Sequence, residues 1–433
     1  MKLIKFPSYS FYRETLYNGL TLVLIPLKDD KIVSVGIFIK VGSRYEHKEN
    51  SGISHFLEHM TFGGTNTRTE NEIMSKLDSI GALYNAATSR EYTYFYANGN
   101  FKDANILLDI ILDIYMNPCF PEKKINKERA VVLEELGMHN DDNQMLLYDD
   151  VMDLVYDFST IGDPILGTYE TVSNITKKDL NTYHDKYYTP NNSILVVSGN
   201  FNYSKMYNSI VKKFRKKQYD KQIITRTSLN IQQTIPQLSI IYGKQLFQTN
   251  VIITFRSFKH TDKRNYTLDI ISRYLTSGFT SVLFTLLRTK LGVAYACSAS
   301  NETYTDHGIF YIMTGLEGKR AVEAIILIFE ELKKIRKGNI DDNIFKSAKK
   351  IFETSMLFDL SSPFDYMMSH GMKELEEMGN ISNEYILEEI RKITVNDIKK
   401  VASEVFISKN MNISILCEKL DKNQMIHCIN NFD

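Results

Sequence analysis

Ile80-Gly-Ala-Leu-Tyr84-Asn-Ala-Ala-Thr-Ser89 and Leu291-Gly-Val-Ala-Tyr295-Ala-Cys-Ser-Ala-Ser300 lie over one another without a gap, at an offset of 211 residues. Both copies continue into Thr-, Tyr- and Phe-rich runs that read as strands, 92–96 and 308–313, and then into long helical patterns, 101–116 and 319–337. The same order of strand and helix met twice predicts two homologous α+β domains from an ancient duplication. Each is expected to be a mixed, mainly antiparallel sheet with helices packed on one face. The expected division is a first domain over 1–215, a basic, weakly periodic connector over 216–234, and a second domain over 235–433.

Around the first copy, Gly19-Leu-Thr-Leu-Val-Leu-Ile-Pro26 predicts a turn into a strand, with further strands at 32–41, 84–97 and 193–198. Helical patterns fall at 51–61, 69–80, 101–116 and 122–139. Gly81 stops the second, and Asn117-Pro118 with Pro121 separates the last two, because proline cannot continue a helix.

The 433 residues carry 52 basic and 52 acidic side chains, and 43% are apolar, the balance of a chain that builds a core. Collagen, coiled-coil and disordered classes are excluded. Zero net charge without a long basic run speaks against nucleic acid as the main partner. Cys119, Cys297, Cys417 and Cys428 include no C-x-x-C pair, which rules out a disulfide framework or cysteine-type zinc knuckle and predicts reduced thiols in a cytoplasmic or similarly reducing compartment. No stretch has the apolar core of a signal peptide or approaches the roughly 18 apolar residues that span a bilayer, so neither export nor membrane insertion is expected.

The 51–61 helix contains His55-Phe-Leu-Glu58-His59. On a helix, residues 55 and 59 stand one turn apart on the face that Glu58 shares, so two imidazoles and a carboxylate converge. H-x-x-E-H is the inverse of the common H-E-x-x-H zinc-peptidase helix, although the pentapeptide alone also fits a helix with two surface histidines and a solvated acid. A catalytic zinc needs a third protein ligand. The 122–139 helix offers Glu128, Glu134, Glu135 and His139; Glu128 and Glu135 share a face that is expected to be buried, because Val131 and Val132 accompany it.

Taken with Val41-Gly-Ser-Arg-Tyr-Glu46, the run Gly52-Ile-Ser-His55-Phe-Leu-Glu58-His59-Met-Thr-Phe-Gly-Gly-Thr65, Asn85-Ala-Ala-Thr-Ser89 with Glu91 and Thr93, and Glu128-Arg-Ala-Val-Val-Leu-Glu-Glu135, the chain resembles the pitrilysin, insulinase and mitochondrial processing peptidase superfamily of zinc metallopeptidases. The resemblance runs from about residue 18 to the end and is strongest before residue 200. It implies one zinc per chain on His55, His59 and Glu135, with Glu128 orienting a ligand from behind. It also implies that Leu287-Arg288-Thr-Lys-Leu-Gly292-Val-Ala-Tyr295 matches a motif whose Arg288 and Tyr295 reach an active site from a metal-free domain. The register agrees, since positions 211 residues beyond His55, Glu58 and His59 hold Tyr266, Asp269 and Ile270.

The implied function is zinc-dependent endoproteolysis of short or unfolded peptides, with a zinc-activated water, Glu58 as general base, and Tyr295 helped by Arg288 stabilising the developing oxyanion. Asn85, Ala86, Ala87 and Thr88, as an edge strand, are expected to pair with an extended peptide. Members of the superfamily form clam-like chambers of which a chain this size is half, so a homodimer is expected in which Arg288 and Tyr295 serve the partner's zinc. The alternative is a non-catalytic peptide-binding or scaffold subunit of the same fold.

Overall fold

The computed structural model describes residues 1–156, 159–215, 224, 229 and 233–433. Most of the expected connector therefore lies outside the described residues. The chain forms two compact units: Met1–Met138 with Asp163–Ser228 and Phe358–Asn380, and His139–Gly162 with Leu229–Leu357 and Ile381–Asp433. The expected boundaries thus differ from the units at two segments, each of which folds with the other half of the sequence.

The first unit is built on seven strands: β1 (Lys2–Lys5), β2 (Ser10–Thr15), β3 (Thr21–Pro26), β4 (Ile32–Ile39), β5 (Leu83–Thr88), β6 (Thr93–Asn100) and β7 (Ser193–Gly199), ordered β1-β2-β3-β7-β4-β6-β5. β3 and β7 run parallel and the other neighbours antiparallel. The second has β8 (Gln237–Tyr242), β9 (Thr249–Ser257), β10 (Ala294–Thr303), β11 (Gly308–Leu316) and β12 (Met411–Cys417), ordered β8-β12-β9-β11-β10. Here β8 and β12 are the parallel pair. Strand for strand, in chain order, neighbour order and direction, β8 to β12 repeat β3 to β7. The duplication read from ten aligned residues therefore extends to a whole sheet, to which the first unit adds the β1–β2 hairpin.

β5 and β6 replace the single strand expected over 84–97. The chain turns at 89–92, where Ser89 N–H donates to the Tyr92 carbonyl at 2.8 Å. The turn carries Arg90 and Glu91, both buried, in place of the glycine, proline or asparagine that marks most turns. Its polarity is used inward, so composition hides it.

Most helices fulfil the expectation of packing on one face of each sheet. Val33, Val35, Ile37 and Ile39 of β4 meet Leu107 and Ile111 of a helix at Ala104–Met116 in the larger core. The other face is not open, however. Phe38 of β4, with Val23, Ile25 and Val196, packs against Met367 on a helix at Pro363–Leu375. That helix lies so close that a Cβ on Gly371 would stand 2.2 Å from the Phe38 ring. In the second unit, Ile252, Ile309 and Leu416 likewise meet Leu147, Val151 and Val155 of the helix Asn143–Val155. A central strand apolar on both faces, as β4 is, requires cover on both, and the exchanged segments supply it. Among the described residues no helix is long and apolar enough to cross a membrane, and all four cysteines are free thiols.

Candidate metal centre

Two helices of the first unit make the site: α1 (Ile53–Thr61), which enters between β4 and β5, and a helix spanning Glu122–Asp141. α1 buries Ile53, Phe56, Leu57 and Met60, and this apolar stripe fixes its rotation. His55, Glu58 and His59 are thereby turned toward the second helix. On that helix Ile125, Val132 and Leu136 are buried, while Val131 is exposed, contrary to expectation. Val131 and Val132 lie on opposite flanks of the stripe that carries Glu128 and Glu135, and the core covers only the flank of Val132.

The ligand atoms of His55, His59 and Glu135 all lie within 4.8 Å of one another, and among the described residues they are the one group of three or more such side chains. Glu135 Oε2 stands 3.7 Å from His55 Nε2 and 3.4 Å from His59 Nε2. Ligands about 2.1 Å from one tetrahedral ion are separated by about 3.4 Å, so the spacing fits a shared cation. Two imidazoles and one carboxylate are also a donor set that zinc accepts. Glu134 faces solvent, and His139 pairs with Asp149 at 2.7 Å instead of joining the group.

His59 Nδ1 lies 3.5 Å from Glu128 Oε2, while Lys124, one helical turn before Glu128, holds its other oxygen at 2.8 Å. Lys124 also binds Glu70 at 2.7 Å. Glu58 accepts a hydrogen bond from Thr88 Oγ1 at 2.6 Å. Thr88 ends β5, the edge strand that also carries Asn85, Ala86 and Ala87. The lysine brace follows from the spacing of 124 and 128, one helical turn apart, whereas the link from Thr88 to Glu58 spans thirty residues and leaves no local trace.

Burial and the two carboxylates of the second helix set the electrostatics of the site. Burial pushes the His55 imidazole down to about 4, aided by the charge of His59. Burial opposes the charge on His59 as well, but hydrogen bonds to Glu128 and Glu135 prevail and raise it to about 9. The His59 hydrogen bond, assisted by Lys124 against burial, holds Glu128 down at about 2. Burial pushes Glu58 above the usual carboxylate range, with the Thr88 hydrogen bond opposing. Glu128 and Glu135 thus favour positive charge at His59, while burial keeps His55 neutral, the form in which an imidazole binds a metal.

In the second unit, Arg288 lies on a seven-residue π-helix, Phe284–Lys290, and its guanidinium sits 4.9 Å over the Phe284 ring and 5.2 Å over the Tyr295 ring. Gly292, at φ +67°, ends the helical segment, and Tyr295 stands on β10 with 80% of its surface exposed. The helix Arg264–Thr276 takes the place of α1 in this unit and carries Tyr266, Asp269 and Ile270 at the positions of His55, Glu58 and His59.

Comparison with known proteins places the chain in a family. Residues 22–169 match the family model for insulinase (peptidase family M16), and residues 174–352 match that for the peptidase M16 inactive domain. The chain is 33% identical over 412 residues to an uncharacterized zinc protease of Rickettsia felis, covering 92% of this chain and 96% of that one. The chain belongs to peptidase family M16. Another M16 relative, an uncharacterized zinc protease of Bacillus subtilis, is 29% identical over 394 residues, 91% of this chain and 95% of its own. A crystal structure of a protease from Helicobacter pylori superposes with a TM-score of 0.88 at 23% identity, covering 94% of this chain and 99% of that one. An M16-like peptidase from Alicyclobacillus acidocaldarius gives 0.82 at 19% identity, over 96% and 99%. At such identities the two structures establish the two-domain α+β fold of the M16 chain and nothing finer.

Proposed function

We propose that this chain is a zinc endopeptidase that cuts short or unfolded peptides bound in extended form. The observation that carries the reading is the convergence of His55, His59 and Glu135 beside Glu58, a carboxylate outside the donor group and held by Thr88. His55, His59 and Glu135 would hold one zinc per chain, and Glu128 would fix the His59 ring. Zinc supplies Lewis-acid chemistry there, polarising oxygen and acidifying water at neutral pH. Glu58 takes the proton of the attacking water as its oxygen bonds to the peptide carbon, then gives it to the amine nitrogen as the C–N bond breaks. The free edge of β5 at Asn85, Ala86, Ala87 and Thr88 binds the peptide backbone by strand addition, which selects for extended substrates.

Arg288 and Tyr295 donate to the substrate oxygen as it gains charge. We assign them to the zinc centre of a second copy in a homodimeric chamber, a reading supported by the exposure of Tyr295. Mixing Glu58→Gln chains with Tyr295→Phe chains then restores activity through one intact centre per mixed dimer. Activity that stays at the level of the separate variants rules out sharing.

The function itself is tested on an unstructured fluorogenic peptide with zinc content measured on the same sample. Cleavage is expected with about one zinc per chain, lost on chelation and regained with zinc. A chain that holds zinc yet cuts nothing, alone or with added zinc, overturns the enzyme reading in favour of a peptide-binding subunit.

A further inference from the structure

α1 is nine residues long, so its first turn holds His55 and its second holds His59. The N-cap is Gly52, at a φ of +91° that favours glycine, and glycine has no side chain to accept from the opening amides. The missing acceptor comes from Glu46, a carboxylate only 5% exposed. Its Oε2 accepts the Gly52 N–H at 2.7 Å and its Oε1 accepts the Ser54 N–H at 2.7 Å. Both oxygens are thus committed to the positive end of the helix that carries the histidines. Burial pushes the Glu46 carboxyl up to about 7 against these bonds, a cost that a residue with no positional role would avoid by facing water.

The segment bearing Glu46 is itself anchored. Ser43 N–H and Arg44 N–H donate to the carbonyls of Ser89 and Arg90 at 3.2 and 2.9 Å, and Arg44 pairs with Glu91 at 2.5 Å. A Cβ on Gly42 would stand 2.0 Å from the Ser89 carbonyl oxygen, so only glycine lets the segment approach the turn this closely. Glu46 therefore ties the start of α1 to the turn that follows β5, the strand whose Thr88 holds Glu58.

We infer that Glu46 is a positioning residue of the metal centre: by capping α1 across the chain it sets the direction in which His55 presents its imidazole. Without the cap the first turn frays and His55 moves, while His59, one turn deeper and braced by Glu128, stays. The inference rests on the zinc reading above and adds to it a residue that touches no ligand atom of the group.

The test uses full-length Glu46→Gln and Glu46→Ala beside a control, Ile210→Ala, which removes a fully buried side chain from a helix of the same unit, Tyr203–Arg215, that carries no site residue. Glutamine keeps the volume of glutamate but offers one acceptor oxygen and turns an NH₂ toward an amide donor. Zinc affinity is measured by chelator competition, and amide hydrogen exchange over 50–61 on the zinc-free chains. Both Glu46 variants are expected to bind zinc roughly 10- to 100-fold more weakly and to exchange the first-turn amides of α1 about tenfold faster, while Ile210→Ala changes neither despite its lower unfolding temperature. Zinc affinity equal to that of the parent, or reduced no further than in Ile210→Ala, overturns the inference. A parent that binds no zinc overturns the metal reading instead, and exchange then decides by itself whether Glu46 holds the turn.

Discussion

Replacing Glu58 by glutamine should lower kcat/KM for peptide cleavage by roughly 10²- to 10⁴-fold, the usual worth of a positioned general base, and leave the zinc content at that of the parent. The two outcomes are separable because Glu58 lies outside the group of three side chains whose ligand atoms converge. Glutamine fills the same space, and its carbonyl oxygen can still accept from Thr88 Oγ1, which reaches Glu58 at 2.6 Å. What it cannot do is take a proton from water near neutral pH. Burial has already pushed the Glu58 carboxyl up from the ordinary range, nearer to the value at which a base both accepts and releases a proton. Cleavage within tenfold of the parent would remove Glu58 from this role; zinc lost together with activity would make it a ligand.

The largest loss of stability is expected from Arg44→Ala. Arg44 is 2% exposed and Glu91 8%, and the two stand 2.5 Å apart. Removing the guanidinium takes the Arg44 charge away from a buried carboxylate, and breaking such a pair from one side costs about 3–5 kcal/mol. For a unit of this size that corresponds to a fall on the order of 10 °C in the midpoint of its unfolding transition, read by calorimetry. The double variant Arg44→Met with Glu91→Leu should recover most of it, since two apolar side chains of similar volume need no countercharge. An Arg44→Ala chain as stable as the parent would show that the pair is solvated in solution.

The two variants probe different links of one structure. Glu58→Gln keeps every contact and removes a proton acceptor, so its effect belongs to chemistry. Arg44→Ala removes a contact that holds the loop before α1 against the turn after β5, so it acts first on the fold and only through it on the site. A chain in which both effects appear together, activity and stability falling in parallel for Glu58→Gln, would place Glu58 among the structural acids with Glu91.

Features written in local spacing were legible in the sequence. His55 and His59, four residues apart, must share a face of any helix they occupy, and Glu58 must share it too, because helix geometry is the same everywhere. The same holds for the 211-residue register, which the pairing of β8 to β12 extends from ten residues to a sheet, and for the helical pattern over 69–80, found as the helix Glu70–Ser79. The resemblance to a known superfamily added Glu135, which periodicity alone could not separate from its neighbours on the 122–141 helix.

Features that depend on which surfaces meet were not legible. Glu135 faces His55 and His59 while Glu134 faces water only because Val132 and Leu136 anchor the rotation of their helix against the core. The turn at 89–92 was hidden because its Arg90 and Glu91 are satisfied by distant residues instead of by a local turn motif. The helices Asn143–Val155 and Pro363–Leu375 announce an apolar stripe but not the sheet that receives it, and each packs on the sheet from the other half of the chain. Glu46 capping α1 and Thr88 holding Glu58 follow the same rule. Spacing along the chain settles what a helix presents, whereas burial of its other faces settles toward whom, and that choice is made by the whole core at once.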